Sequence, residues 1–536
     1  MEPKKQAAII GAGISGLAAI KSCLEEGLEP VCMEQFDDVG GFWCHSGEFQ
    51  EGQGAMAFDN LTTNTPKDMF CYSDFPYGND VPPYPTRPYV HEYLHRYCDK
   101  FHLRKYIHFN TKIRNIQKSD DYEDSGRWEV ETADASGVVH EHVYDFVFVC
   151  SGYCSDAKFP IISGLESFKG LTEHSKTFKD GSKYANKRVL VVGTGNSAGD
   201  LAVVVSHVAK QVYMTVGKGT FIVPRLLEGG IPWSYATQRR AFLRKKNNFV
   251  NMVRDTANSR IKHDATGINL TNSMKSTSLI INDFLHIQIV CGRVKIVGQL
   301  NRIGEHEAEF EDGTVLKDLD AILFATGYLP GLRFLSDEAK GGGVGTDKQY
   351  RYKMTFPLTL THNTLALIGC FESGSTVIAV TEMQVRWAAR VFSGRCTLPP
   401  REIMMADVDR WNKFVMKKYG RYKYKVPNLK IRDEMAAELG VAPSWWDLIK
   451  AGPRLAYQYY YGPAFPYYYR LWGPHAWCGA EKAIYNALEH GYIPKPVMKL
   501  KPDVTPRSFL TQHLALTGAA VAGALMIGSY QWKLLQ

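Results

Sequence analysis

Three observations in this sequence predict an α/β fold built from two parallel-sheet units. The run Gly11-Ala12-Gly13-Ile14-Ser15-Gly16 follows the apolar stretch Ala7-Ala8-Ile9-Ile10 and opens a helix-like segment. The run Gly193-Thr194-Gly195-Asn196-Ser197-Ala198 does the same after Val189-Leu190-Val191-Val192. Two further apolar runs echo one another. Phe146-Val147-Phe148-Val149-Cys150 ends at Ser151-Gly152, and Ala321-Ile322-Leu323-Phe324-Ala325 ends at Thr326-Gly327-Tyr328. Asp145 and Asp320 stand just before them, and both runs read as the closing strands of their units. Strand, glycine turn and helix in that order make a Rossmann-like dinucleotide-binding domain. Its first glycine makes the turn, its second admits a pyrophosphate, and its third lets helix pack on strand. One such run is a weak signal, but two in this context predict two dinucleotide sites and two redox cofactors that must meet.

Residues 6–34 read as β-α-β. Gly11, Gly13, Ile14, Ser15 and Gly16 form the first expected cradle, where free N–H groups at a helix start favour a pyrophosphate. The next strand, Pro30-Val31-Cys32-Met33, ends in Glu34. A carboxylate there accepts from ribose hydroxyls and repels a 2′-phosphate, which selects FAD or NAD over NADP. The plain alternative is an acid that merely ends a strand at the surface. Asp38-Val39-Gly40-Gly41-Phe42-Trp43 follows, a glycine-rich turn suited to lie against a flavin ring or ribityl chain. Residues 58–85 are irregular and carry Pro66, Pro76, Pro82 and Pro83. A helix is expected from Arg87 to Phe101, with Tyr89, Leu94 and Tyr97 on one apolar face. Ile107 to Ile116 and Trp128 to Thr132 read as strands.

The second unit differs where its chemistry should. Its matching strand, Gln211-Val212-Tyr213-Met214-Thr215-Val216, ends in no acid. The Thr215 hydroxyl and the cations Lys218 and Arg225 suit a 2′-phosphate, so this site is read as NADPH. An ordinary solvated Lys218 is the alternative. Gly193, Gly195, Asn196, Ser197 and Ala198 form its cradle, with Ala tolerated at the third position. Thr326 and Gly327 are small residues that let the backbone approach a cofactor. Between 217 and 289 the α/β rhythm stops, and the stretch is basic and aromatic, with Arg239-Arg240 and Arg244-Lys245-Lys246. So long a break in the rhythm reads as a largely helical insertion, either a lid over a substrate channel or a solvated insert.

With 536 residues, several cores are needed, and 45% hydrophobic with 22% charged residues is a globular balance. The net charge of +8 comes without a dense basic stripe, which argues against nucleic acid. It allows a mild attraction to anionic membrane surfaces. Eleven cysteines without Cys-x-x-Cys read as reduced thiols in a cytosol-facing protein. Leu514 to Tyr530 carries no formal charge and is near the lower limit of about 17 residues for a spanning helix. Lys495, Lys499, Lys501 and Arg507 precede it and keep the body cytosolic by the positive-inside tendency. An amphipathic or core helix is the alternative, because Thr517, Gly518, Gly523 and Gly528 weaken the span. No acid–base triad or metal cluster stands out.

The expected order is a first FAD-binding part (1–160), a first NADPH-binding part (161–216), the insertion (217–289) and a second NADPH-binding part (290–329). A second FAD-binding part (330–445), an aromatic-rich region (446–507) and a membrane anchor (508–532) follow.

Further runs fix a resemblance. Phe168, Gly170, His174 and Phe178 form a Phe-x-Gly-x-x-x-His-x-x-x-Phe signature between the two units. With it go Phe-Ala-Thr-Gly-Tyr at 324–328, Gly40-Gly41-x-Trp43, Gln384-x-Arg386-Trp387-Ala388-Ala389 and Tyr461-Gly462-Pro463. Through nearly its whole length the chain resembles the flavin-containing monooxygenases of the animal drug-metabolising type. The resemblance implies that NADPH reduces FAD, that O2 adds at flavin C4a, and that the hydroperoxide oxygenates nitrogen or sulfur in small lipophilic nucleophiles. Such chemistry needs a dry, apolar site. An endoplasmic reticulum membrane location with a cytosolic catalytic body is implied too, and a homo-oligomer is left open. Thr63-Asn64-Thr65-Pro66-Lys67-Asp68-Met69 matches the family segment whose Asn lies beside the flavin. That makes Asn64 the catalytic candidate, although the residues alone also read as a turn. Gln384 joins the cofactor-binding set on the same ground, and His174 reads as a packed hinge residue rather than a base. Two departures stand out: Gly217 where the family commonly has Arg, and Val380 where it often has Pro. The rival readings are Baeyer–Villiger oxygenation of ketones, an NADPH oxidase making H2O2, and a tethered nucleotide-binding protein without activity.

Overall fold

The elements that carry the two units are, in chain order, β1 (Gln6–Ile10), α1 (Ile14–Glu26), β2 (Glu29–Met33), α2 (Arg87–Lys100), β3 (Ile107–His108) and β4 (Phe146–Val149). They continue with β5 (Leu171–His174), β6 (Arg188–Val192), α3 (Asn196–Ser206), β7 (Gln211–Thr215), β8 (Val294–Val297), β9 (Ala321–Phe324), β10 (Leu365–Leu367) and α4 (Val377–Phe392). This computed structural model describes residues 4–44, 53–58, 60–217, 219–243, 246–263, 265–268, 278–342, 348–373, 376–419, 425–426 and 428–492.

The first sheet runs β10-β4-β1-β2-β3 and the second β8-β7-β6-β9-β5, both parallel throughout. Strands buried on both faces read as continuous apolar runs, which is why Ala7 to Ile10 and Val189 to Val192 were legible. Ile10 pairs with Val149, and Val192 with Phe324, so each glycine run leaves its sheet beside the end of the neighbouring strand. Neither Phe146–Val149 nor Ala321–Phe324 closes its sheet, because β10 lies outside the first and β5 outside the second.

The duplication extends beyond the glycine runs. After β3, an antiparallel sheet forms from Lys112–Lys118, Trp128–Ala133 and Val139–Tyr144. After β8, Leu300–Ile303, Ala308–Phe310 and Val315–Leu316 repeat it. The single strand expected from Ile107 to Ile116 is therefore two, and Asn110 at φ 54° breaks it. Asn is among the few residues that tolerate this left-handed region. On α2 the buried stripe is Val90, Tyr93, Leu94, Tyr97 and Cys98, whereas Tyr89 is exposed.

Described parts of the insertion dock onto both units. Its strands Thr220–Val223 and Ser278–Ile281 pair in parallel. A side chain at Gly199 of α3 would meet Ile280 Cγ2 at 2.6 Å, so strand and helix are in direct contact. Arg240 is buried, pairs with Asp433 at 2.9 Å, and stacks 3.8 Å from the Tyr459 ring. Buried guanidinium needs such partners. Arg244 and Lys245 lie outside the described residues.

The C-terminal aromatic region clamps the first unit. Helix α4 packs along α1. Tyr467, Tyr468, Tyr469 and Arg470 are buried, and Arg470 reaches Asp74 at 2.9 Å and Glu382 at 3.4 Å. Lys21 of α1 meets the same Asp74 at 2.8 Å. All eleven cysteines are free thiols. Among the described residues no helix is long and apolar enough to cross a membrane, and the expected anchor at 508–532 lies outside them.

Candidate active site

The first cradle is lined by backbone. Gly11 has φ +98°, and a Cβ there would sit 3.0 Å from Cys150 O. At Gly16 a Cβ would fall 1.8 Å from Gly11 O, so only glycine lets α1 lie this close to β1. A Cβ on Gly13 would lie 3.6 Å from Gly41 Cα, and Gly40 N–H donates to Ala12 O at 3.1 Å. Two glycine turns thus face each other. Helix α1 starts after Gly13 with no side-chain cap, which leaves the first-turn N–H groups of Ile14, Ser15 and Gly16 suited to an anion. Phe42 stays half-buried, while Trp43 is buried edge-on against Phe70, with ring centroids 5.4 Å apart.

Glu34 is buried and braces this turn. Its Oε2 accepts from Ala12 N–H at 2.6 Å and its Oε1 from Phe36 N–H at 3.1 Å. Burial raises its pKa, and these N–H donors only partly offset it. The carboxylate keeps acceptor capacity for a ribose hydroxyl.

The second cradle repeats the brace with a hydroxyl. Thr215 Oγ1 accepts from Gly193 N–H at 3.0 Å. Gly193 is held at φ +153°, where a Cβ would sit 2.4 Å from Ala325 O, and Ala198 is buried behind it. A Cβ on Gly195 meets nothing within 4 Å, and α3 begins after it without a side-chain cap. Ser197 is exposed. Asn196 Oδ1 accepts from Ile281 N–H at 2.8 Å, which fixes the insertion to the start of α3. Lys218 lies outside the described residues.

Arg225 is not at the phosphate edge where the sequence put it. It pairs with Asp283 Oδ2 at 2.8 Å and donates to Thr63 O at 3.0 Å, Thr62 O at 3.3 Å and Asn64 Oδ1 at 2.9 Å. Arginine only donates, so the Asn64 carbonyl must face it and the Asn64 NH2 points away as a donor. From Asp283 the connection runs one residue back to Asn282, whose Nδ2 donates to Asp200 Oδ1 on α3 at 2.7 Å. Burial raises the Asp200 pKa to about 6. The start of the second cradle is therefore tied through the insertion to Asn64. Asp283, Asn282 and Asp200 carried no local sequence signal.

Gln384 is fully buried, and both ends of its amide are occupied. Oε1 accepts from Gly369 N–H at 2.9 Å, and Nε2 donates to Thr355 Oγ1 at 2.9 Å. Gln384 thus holds the Gly369 backbone, and a Cβ at Gly369 would lie 3.6 Å from Ser15 Oγ of the first cradle. Thr326 donates to Lys158 O, and Gly327 O accepts from Lys158 N–H at 3.0 Å. Both sit where Tyr328–Leu329 pairs antiparallel with Asp156–Ala157, at the crossing between the two units. In the Phe168–Phe178 signature, a Cβ at Gly170 would meet Asp320 O at 2.5 Å. Burial lowers the His174 pKa to about 4, its Nδ1 accepts from Lys176 N–H at 3.1 Å, and Phe159 and Tyr328 pack its ring.

Two backbone-lined cradles, one braced by a buried acid and one by a hydroxyl, define an oxidoreductase with two dinucleotide cofactors. The family model described as "Flavin-binding monooxygenase-like" matches residues 4–525. A flavin-containing monooxygenase 5 from Cavia porcellus is 38% identical over 507 residues, covering 92% of this chain and 93% of the relative. Dimethylaniline monooxygenase [N-oxide-forming] 4 from Homo sapiens is 35% identical over 534 residues, covering 98% and 94%. Among solved structures, the S-allyl-L-cysteine S-oxygenase from Allium sativum shares the fold at TM-score 0.61 and 20% identity, covering 90% of this chain and 99% of that one. An open cyclohexanone monooxygenase does so at TM-score 0.58 and 18% identity, covering 81% and 98%. The chain belongs to the flavin-binding monooxygenase-like family, and it is an FAD- and NADPH-dependent monooxygenase.

Proposed function

We propose that this enzyme oxygenates nitrogen or sulfur in small lipophilic nucleophiles, with O2 as oxygen source and NADPH as reductant. The observation that carries the reading is the Arg225–Asn64 bond at 2.9 Å, which aims an amide donor away from Arg225 and ties it to the NADPH-side insertion. A relative named for forming an N-oxide supports nitrogen as one target. FAD, when bound, supplies two-electron reduction by the nicotinamide and activation of O2. The chain's residues orient and exclude. Gly11, Gly13, Ile14, Ser15 and Gly16 hold the FAD pyrophosphate, Glu34 the ribose, and the turn Gly40–Trp43 the ribityl side. Gly193, Gly195, Asn196, Ser197 and Ala198 surround the NADPH pyrophosphate, with Thr215 and Lys218 toward its 2′-phosphate. Asn64 donates a hydrogen bond beside the flavin, and Thr326 and Gly327 line the crossing where the rings meet.

In this reading residues 1–160 and 330–445 bind FAD, 161–216 and 290–329 bind NADPH, and 217–289 form the insertion. Residues 508–532 anchor the protein in the endoplasmic reticulum membrane with its body in the cytosol. Exposed Trp445, Trp446 and Ile449 at 69%, 72% and 64% support contact with a lipid surface.

The test supplies FAD-loaded enzyme with NADPH, O2 and, in turn, a tertiary amine, a thioether and a ketone. Product is compared with NADPH consumed and H2O2 released. An N-oxide or sulfoxide in step with NADPH is expected. Ester from the ketone alone, or H2O2 with no oxygenated product, would overturn the reading.

A further inference from the structure

We propose that Asp38, His91 and His95 form a binding site for a divalent transition-metal ion of the zinc class, on the outer side of the Gly40–Gly41 turn. His91 and His95 stand four residues apart on α2 and so share one helix face. That face meets the loop that carries Asp38.

The geometry is that of ligands already gathered. Asp38 Oδ2 lies 3.3 Å from His91 Nε2 and 3.0 Å from His95 Nε2, and the two Nε2 atoms are 3.2 Å apart. A tetrahedral ion roughly 2.0–2.2 Å from imidazole and carboxylate ligands separates them by roughly 3.4 Å. The three atoms need to open by only a few tenths of an ångström. As they stand, His91 Nε2 can place its proton on Val39 O at 3.0 Å and His95 Nε2 its own on Asp38 Oδ2 at 3.0 Å. One cation satisfies both nitrogens and the carboxylate together.

The donor set also selects the ion. Two imidazoles and one carboxylate suit zinc and its first-row neighbours, whereas magnesium and calcium prefer oxygen alone. The three side chains are 19–29% exposed, which gives an ion access and leaves a fourth position for water.

Two contacts compete with the ion. His91 Nε2 lies 3.0 Å from Val39 O. Arg104 Nη2 lies 3.4 Å from Asp38 Oδ1 and 3.3 Å from His95 Nδ1. An imidazole that binds metal through Nε2 carries its proton on Nδ1, so Arg104 must withdraw to Asp38 alone. Its side chain is 45% exposed and can do so. The occupied site links α2 to the first cradle, because His91 Cδ2 lies 2.9 Å from where a Gly40 Cβ would be.

Equilibrium dialysis of the FAD-loaded full chain against Zn2+, with metal analysis of the protein, tests this. Wild type is expected to hold one tight equivalent. His95→Ala and Asp38→Asn should each weaken it by about tenfold or more, and Arg104→Gln should tighten it. Zn2+ should raise Tm in wild type and leave it unmoved in His95→Ala. X-ray absorption should show two imidazole nitrogens on the bound ion. Equal zinc retention by wild type and both weakening variants would overturn the proposal, as would wild type that retains none. Flavin content confirms that each variant is folded.

Discussion

In the first unit the middle glycine of the fingerprint, Gly13, looks onto the Gly40–Gly41 turn, whereas in the second Gly195 looks onto nothing within 4 Å. Both units otherwise share the arrangement of four strands, an antiparallel sheet, and a strand-end side chain that accepts from the glycine turn. One cradle is closed by backbone on both sides and packed under α4. The other opens outward and is bordered by an insertion. A closed cradle suits a cofactor that stays through many turnovers, and an open one suits a cofactor that leaves in each.

The strongest way to break the comparison is at Gly16. With a Cβ only 1.8 Å from Gly11 O, Gly16→Leu should give protein without flavin, read from its absorbance after purification. Gly195→Val is the contrasting case, since a Cβ there meets no protein atom within 4 Å. It should keep its flavin but lose about 2–3 kcal/mol of NADPH binding, roughly a 30- to 150-fold rise in KM. Equal flavin loss in both variants would dissolve the distinction between closed and open cradles.

Arg225→Lys sharpens the link between the units, because a point charge cannot keep the fork that holds Thr62, Thr63, Asn64 and Asp283 together. About 1.5–3 kcal/mol of charged hydrogen bonding is at stake. NADPH-driven flavin reduction should persist while the share of H2O2 in the products rises several-fold. The smallest effect is expected at Asp200. Its folded pKa of about 6 lies above the ordinary carboxylate value, so the folded chain holds the proton longer than the unfolded one. Wild-type stability should therefore fall as pH rises from about 4 to about 6, by on the order of 1–2 kcal/mol after partial solvent screening. Asp200→Asn should lack that fall, and Tm measured across this window checks it.

The two fingerprints were legible because glycine geometry is local: turn, close approach and helix packing all lie within six residues. Glu34 was marked by its place at the end of the next strand, although the Ala12 N–H that it accepts from stands 22 positions away. Arg225 was misplaced because its partners Asn64 and Asp283 stand 161 and 58 positions away. The partners of Gln384, Gly369 and Thr355, stand 15 and 29 positions away, and only the fold brings them to its amide. The stripe on α2 was misjudged through Tyr89, since Val90 sets the i, i+3, i+4 pattern that is buried. The Asp38–His91–His95 cluster joins a loop to a helix, and the i, i+4 pair of histidines does not announce that Asp38 meets it.

The outer strand of the first sheet, Leu365–Leu367, arrives long after the rest of that sheet, while every strand of the second lies between Leu171 and Phe324. During synthesis the N-terminal half must therefore wait, one flank bare, while the later-made half finishes its own sheet. Birth order and completion order are reversed, and a nascent chain stalled before Leu365 would expose the Phe146–Val149 edge to whatever chaperone stands at the ribosome.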